Sequence, residues 1–169
     1  MNGNDVTGAR VDVETTVDMS PEQFWGLITD VSRIGEWSPE VVKAAWLEGD
    51  AAAPRAGDRF KGSCEYPDGF AAVLECVVTE SEPGRAFSWV VLDGDADPDR
   101  PGSMWSYELQ PGAVPGSTLV RHSFVHGSGT TGLRAAVERD PANAATCLEG
   151  RLGQLRKNML STLDAMARG

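Results

Sequence analysis

Residues 148–166, LEGRLGQLRKNMLSTLDAM, carry a single apolar stripe at helical spacing. Apolar side chains that recur every three or four residues lie on one face of an α-helix. Asp140 and Pro141 precede the stripe and predict the start of the helix, because Asp favours the N-cap and Pro the first helical position. A helix of about 25 residues is long enough to cross a whole sheet. The stripe consists of Leu148, Leu152, Leu155, Met159, Leu163 and Met166.

The sequence before this helix is dominated by strands. Between residues 41 and 124, polar and apolar residues alternate in six segments separated by turns rich in Gly, Pro and Asp. Strands joined by such short turns pair antiparallel. A seventh strand is predicted over residues 11–17, and Ser20-Pro21 after it predicts the first of two short helices. We therefore expect an α+β fold in which the C-terminal helix covers a curved, seven-stranded antiparallel sheet.

The alternation also predicts which side chains face the helix. On the first strand after the short helices, Val42, Ala44 and Trp46 are expected to share the inner face. On the remaining strands the inner face is expected to contain Phe60, Cys64, Tyr66, Leu74, Cys76, Val78, Phe87, Trp89, Val91, Trp105, Tyr107, Leu109, Val120, His122 and Phe124.

Charge and composition restrict the partners. The chain of 169 residues has 25 Asp and Glu against 15 Lys and Arg, a formal charge of −10, which argues against nucleic acids and anionic membrane surfaces. No apolar stretch reaches membrane-helix length, the three Cys match no zinc or redox spacing, and residues 1–10 do not have the pattern of a signal peptide. We expect a cytoplasmic protein with a flexible tail over residues 1–9 and one domain over residues 10–169.

Five segments resemble one superfamily when taken with the order of elements. They are EWSPEVV at 36–42, AGDRFKG at 56–62, CVVTESEPGRAFSW at 76–89, SMWSYELQP at 103–111 and RLGQLRKNMLSTLDAM at 151–166. Over residues 10–167 the chain resembles the START-like, helix-grip (SRPBCC) superfamily, and within it the bacterial polyketide cyclase/dehydratase-like branch. The resemblance implies an elongated cavity between sheet and helix that takes an apolar or aromatic ligand.

The aromatic side chains of the inner face are the candidate ligand site. Buried Tyr and Trp need hydrogen-bond partners for their polar tips, which a ligand cavity supplies. The alternative is an aromatic core whose polar tips reach the rim. The residues expected to contact a ligand are Trp37, Trp46, Cys64, Trp89, Trp105, Phe124, Leu148, Leu152 and Leu155.

His122 is the candidate acid–base residue, because its neighbours Val120 and Phe124 place it on the inner face. A buried neutral His next to Tyr66 or Tyr107 could enolise a methylene between two carbonyls and hold the resulting oxyanion. The alternative interpretation is a histidine satisfied within the core or at its rim.

Trp37, Arg151 and His126 are expected near the edges of the cavity. Trp37 is either a gate at the cavity or a wedge between helices and sheet, and Arg151 either reaches into the cavity or pairs with a surface carboxylate. His126 ends the last strand, and Gly127-Ser128-Gly129 after it predicts a mobile loop at the cavity mouth. His122 and His126 lie about 13 Å apart at strand rise, so no metal site is expected.

Two functions follow from a cavity of this kind. The first is a cofactor-independent polyketide cyclase/dehydratase-like enzyme that uses His122, Tyr66 and Tyr107, since no nucleotide-binding or nucleophile motif is present. The second is a non-catalytic carrier or sensor of a lipid-like metabolite. A module that binds proteins through the sheet surface is a third and weaker alternative, and a homodimer is left open.

Overall fold

The computed structural model describes residues 5–47, 53–66, 69, 71–93 and 97–168. Within these residues there are seven strands, three α-helices and two 3-10 segments. The strands are β1 (Arg10–Val17), β2 (Val41–Trp46), β3 (Arg59–Glu65), β4 (Ala71–Glu82), β5 (Ala86–Leu92), β6 (Ser103–Pro111) and β7 (Thr118–His126). The helices are α1 (Pro21–Thr29), α2 (Gly132–Arg139) and α3 (Ala144–Ala167), with 3-10 segments at Val31–Glu36 and Pro141–Asn143.

The seven strands form one antiparallel sheet in the order β1-β7-β6-β5-β4-β3-β2. Short connections join β2 to β7 in sequence, and β1 is added at the far edge by pairing with β7. The inner face of the sheet and the apolar stripe of α3 form one core cluster, which confirms the predicted helix-grip architecture.

The first helix begins where the sequence predicted. The Ser20 hydroxyl accepts a hydrogen bond from the Gln23 backbone N–H, and the Gln23 side chain accepts one from the Ser20 N–H. This reciprocal capping, with Pro21 in the first turn, fixes the point at which the chain leaves β1.

The apolar stripe of α3 is buried unevenly. Leu155, Met159, Leu163 and Met166 are fully buried, whereas Leu148 and Leu152 toward the N-terminus are partly exposed. The helix is therefore packed against the sheet at its C-terminal half and more open at the other. It also begins at Ala144, later than expected, because Pro141–Asn143 form a separate 3-10 turn. No helix among the described segments is long and apolar enough to span a membrane.

The prediction for the inner face of β2 was wrong at Val42. The pairing of β2 with β3 shifts between Val41 and Lys43, so an extra residue interrupts the alternation. Val42 is 46% exposed, whereas Ala44 is buried. Ala44 and Trp46 keep the predicted inner face because they lie beyond the irregularity.

Residues 5–9, which the sequence assigned to a tail, pack against the domain, and residues 1–4 lie outside the described chain. Val6 is 1% exposed and lies in a small core with Val137 of α2. The Gly8 N–H donates to the His126 carbonyl. His126 itself is buried between this segment and α2, so it does not lie at an exposed mouth.

Candidate functional site

The inner face carries a connected group of aromatic rings that crosses five strands. Trp89 and Trp105 lie parallel, with ring centroids 6.2 Å apart. Strand pairing sets this contact, because Trp89 is opposite Trp105 across β5 and β6, and Trp105 is opposite Phe124 across β6 and β7. Edge-to-face contacts extend the group through Phe60 to Trp46 on β2.

The deepest part of this group is a stacked pair. The Tyr107 and His122 rings are parallel with centroids 3.9 Å apart, and the residues are 2% and 4% exposed. His122 Nδ1–H donates to the Ser106 carbonyl at 2.9 Å, which leaves Nε2 as the nitrogen that can accept a proton. Burial lowers the pKa of His122 to about 4 and raises the pKa of Tyr107. Both side chains are therefore neutral at pH 7.

The inner face opens toward the N-terminal half of α3. Trp46, Trp89 and Trp105 are partly exposed although they lie on the concave side of the sheet. Next to Trp46, Ala44 pairs with Gly62 across β2 and β3, so two small residues adjoin. A Cβ placed on the buried Gly62 would have one neighbour within 4 Å, Val41 Cγ1 at 3.8 Å. This row of the inner face, which we call the small-residue row (Ala44 and Gly62), leaves room beside Trp46 and Phe60.

A polar cluster lies at the same end of the site. Arg151 of α3 forms an ion pair with Glu40, just before β2, and donates to Gln154 Oε1 at 2.7 Å. The Arg151 Cζ atom lies 5.6 Å from the Tyr66 ring centroid. The Glu40 and Arg151 side chains are only 14% and 23% exposed. Arg151 thus pairs with a carboxylate, as one of its two interpretations predicted. This carboxylate is largely buried beside Tyr66 and not at the surface.

Three ionisable groups in this cluster have displaced pKa values. Burial raises the pKa of Tyr66 to about 12 and also raises that of the Cys64 thiol. Burial likewise raises the pKa of Asp93, the residue after β5, to about 6. At pH 7 Tyr66 is a neutral donor, whereas Asp93 titrates close to neutrality.

Glu40, Gln154 and Asp93 were not recognised from the sequence. Asp93 had a usable signal, because it follows Phe87, Trp89 and Val91 at steps of two. Its position at the start of an acidic segment instead favoured assignment to a solvated loop.

The other predicted site residues lie around this core. Trp37 is buried in the core cluster with the Arg33 guanidinium 4.8 Å from its ring, a position that fits a wedge between helix and sheet. Phe124 and Leu155 are also buried. The predicted ligand contacts with a partly exposed side chain are Trp46, Cys64, Trp89, Trp105, Leu148 and Leu152, and the predicted catalytic residue Tyr66 is also partly exposed.

Two depressions of about 450 and 270 Å³ lie away from these rings. The larger is formed by β1 and α3 side chains such as Asp12 and Arg156, and the smaller lies beside Gly8 and Pro101. Within the described ranges, no three His, Cys, Asp or Glu side chains group as they would to hold a metal ion.

Removing the Glu40 charge is expected to destabilise the protein. In Glu40→Gln, Arg151 loses a carboxylate partner in a largely buried setting, which we expect to cost about 2 kcal/mol. Glu36→Gln is the matched control, because its pair with Arg33 is exposed on both sides and should contribute much less to stability. Urea denaturation of the three proteins at pH 7 measures both values, and equal losses would contradict a structural role for the Glu40–Arg151 pair.

Comparison with known proteins agrees with this architecture. Residues 8–159 match the family described as polyketide cyclase / dehydrase and lipid transport. Among solved structures, a Polyketide_cyc-like protein from Corynebacterium glutamicum is similar at TM-score 0.65 and 24% identity, over 96% of this chain and 91% of that chain. A START superfamily protein from Mycobacterium smegmatis has a TM-score of 0.57 at 19% identity, over 86% of this chain and 98% of that chain.

A protein from Thermus thermophilus is similar at TM-score 0.64 and 13% identity, over 94% of both chains. Comparison with curated proteins found no match. The structural likenesses establish a START-like fold, and the family match covers most of the sequence. The chain therefore belongs to the polyketide cyclase / dehydrase and lipid transport family.

Proposed function

We propose that the protein binds a hydrophobic aromatic molecule between the inner face of the sheet and the N-terminal half of α3, and acts on it as a cofactor-independent cyclase or dehydratase. The observation that supports this most directly is the partly exposed indole pair of Trp89 and Trp105, with the small-residue row on the far side of Phe60, whose ring contacts Trp89. Planar rings stack favourably on such indoles, and burying their apolar surface contributes about 25 cal/mol per Å².

The polar groups around this space suit a ligand that carries carbonyls. Tyr66 is a neutral hydroxyl at pH 7 and is able to donate to an oxygen on which negative charge develops. In this proposal His122 and Tyr107 form the floor of the site, with Nε2 of His122 as a neutral acceptor. Much of the acceleration in a cyclisation comes from holding one chain in a reactive geometry, which a shaped aromatic site supplies without a cofactor.

The ligand contacts in this proposal fall into two groups. The side chains that would touch the ligand are Trp46, Cys64, Trp89, Trp105, Leu148 and Leu152. Trp37, Phe124 and Leu155 are buried behind or beside them and would hold the shape of the site.

A carrier or sensor of a lipid-like metabolite is the second candidate function. The observation that favours it is the protonation state of His122, whose pKa of about 4 makes it a weak base. A site with only weak acids and bases would bind and shield a ligand without changing it.

Titration with a neutral hydroxyanthraquinone, a planar aromatic with carbonyl and phenol groups, tests the binding proposal. We expect saturable quenching of tryptophan fluorescence with a stoichiometry of one, checked by calorimetry. Native mass spectrometry of protein purified from its own host would then separate the two functions, because a carrier retains an unmodified lipid. The absence of any saturable quenching would contradict a ligand site on the inner face.

A further inference from the structure

Asp93 extends the inner face beyond the aromatic rings. It follows Phe87, Trp89 and Val91 on alternate positions of β5 and is half-buried. Leu92 pairs with Glu75, so the next inner position on β4 beside Asp93 is Leu74, which itself pairs with Gly62 of the small-residue row. The carboxyl group therefore lies at the end of the row where the site has room.

The position of the Asp93 carboxyl depends on Gly102, which directly precedes β6. A Cβ on Gly102 would collide with Oδ2 and Cγ of Asp93, so the absence of a side chain there makes the space for the carboxyl group. The Gly102 N–H donates to the Val91 carbonyl at 2.9 Å, which fixes this backbone against the end of β5.

The described ionisable groups near Asp93 leave the charge of its carboxylate uncompensated. They include Cys64 of β3, Tyr66 directly after β3, and Cys76 of β4. Arg151 is the cation of the same cluster, and its guanidinium is already bound by Glu40 and Gln154. Among the described residues, none donates a hydrogen bond or forms an ion pair with the Asp93 carboxylate. A half-buried carboxylate without a partner lowers the stability of the folded state, because its charge is desolvated. Such groups are typical of functional sites.

Building on the ligand site proposed above, we propose that Asp93 is a catalytic residue of that site, a general base that removes an acidic proton next to a carbonyl of a neutral aromatic ligand. The C–H bond breaks and its proton moves to the Asp93 carboxylate. The electron pair forms an enolate with the neighbouring carbonyl. In this proposal the Tyr66 hydroxyl donates a hydrogen bond to the enolate oxygen. Attack of the enolate carbon on a second carbonyl of the ligand forms the new C–C bond, and the resulting alkoxide takes the proton back from Asp93.

Base strength favours Asp93 over His122 for this step. A general base works best when its pKa lies near the working pH, and the pKa of Asp93 is about 6 against about 4 for His122. Asp93 and His122 also lie at different positions along the sheet. His122 lies level with Phe87 through Tyr107, and Asp93 is six residues further along β5, about 20 Å at strand rise.

The elimination of 5-nitrobenzisoxazole tests this role without knowledge of the natural ligand. A base removes the C3 proton of this planar aromatic, the N–O bond breaks, and a coloured cyanonitrophenolate forms with no other reactant. We expect the wild type to catalyse the reaction with kcat/KM rising through a midpoint near pH 6. Asp93→Asn should lower kcat/KM by about 100-fold or more.

Two further variants make the assignment specific. Gly102→Ala keeps the carboxyl group but displaces it, so kcat should fall while quenching of tryptophan fluorescence by the probe persists. Asp99→Asn removes an exposed carboxylate of the same connection and should leave both quantities unchanged.

The outcomes separate this inference from the binding proposal. Saturable quenching with no turnover, or with turnover that Asp93→Asn leaves intact, would overturn the role of Asp93 and leave the ligand site standing. A probe that neither quenches nor reacts would refute the site and the role of Asp93 together.

Discussion

Acidification from pH 7 to pH 4 is expected to cost the wild type about 3 kcal/mol of stability through His122 alone. The pKa of His122 falls from 6.5 to about 4 on folding because the imidazole is buried. Between these values the unfolded chain binds a proton that the folded protein does not. The contribution of His122 is therefore fully present above pH 6.5 and is lost as the pH falls through 4.

His122→Phe isolates this contribution, because a phenyl ring is able to stack on Tyr107 and does not titrate. Free energies of unfolding from urea denaturation at pH 7, 6, 5 and 4 would be compared between the two proteins. The substitution also removes the hydrogen bond to Ser106, but that loss is independent of pH and shifts the whole curve by a constant.

Other titrating groups act in both proteins and cancel in the difference. Burial also lowers the pKa of His126, with the same sign of effect as in His122. Asp93 has the opposite sign, because its raised pKa stabilises the folded state as the pH falls from 6 toward 4. Parallel curves for wild type and His122→Phe would show that His122 is not buried in its neutral form.

The fold was accessible from the sequence because its signals are local. Alternation identified the strands, the stripe on α3 identified the covering helix, and Val120 and Phe124 placed His122 inside. These patterns report which side of an element faces the core, and that is decided by neighbours two to four residues away. The start of α1 was equally local, since Ser20 and Gln23 cap each other.

The parts that were missed depend on geometry that alternation does not encode. The irregularity in β2 exposes Val42, because one additional residue changes which residues of a strand point to the inner face. The pair of Glu40 and Arg151 joins residues 111 apart in sequence, so no spacing rule reveals it. Asp93 had the correct phase, but an acidic residue before a Gly- and Pro-containing segment is usually solvated.

The chemistry of the site is divided along the sheet. Its deep part, with Tyr107 stacked on His122, is closely packed and neutral, and its open part holds Asp93 and the pair of Glu40 and Arg151. A ligand would therefore place its apolar rings against the indoles and its reactive carbonyls toward the open end. In this orientation, which rests on the binding proposal, the reactive carbonyls lie nearer to Asp93 than to His122.

Gly62→Leu is expected to weaken binding of the hydroxyanthraquinone by at least about 100-fold, equivalent to about 2.7 kcal/mol. The leucine side chain would extend from the inner face into the space beside Trp46 and Phe60, where Val41 Cγ1 is the only described atom within 4 Å of the new Cβ. The backbone of Gly62 is not among those with positive φ, so it accepts a side chain without strain. Replacing a glycine inside a strand should also raise stability by about 0.5–1 kcal/mol.

Loss of affinity together with retained or increased stability is the signature that distinguishes an occupied site from a filled core. Lys61→Leu is the matched control, because Lys61 is the exposed neighbour on the same strand and its replacement should leave affinity unchanged. Ala44→Leu adds an independent test from β2. Ala44 pairs directly with Gly62, so a leucine at position 44 would narrow the same space.

If a stably folded Gly62→Leu protein bound the anthraquinone as tightly as wild type, the ligand could not lie over the small-residue row. If instead Gly62→Leu failed to fold, the row would already be filled by neighbouring side chains, and the space on which both the binding proposal and the role of Asp93 depend would not exist.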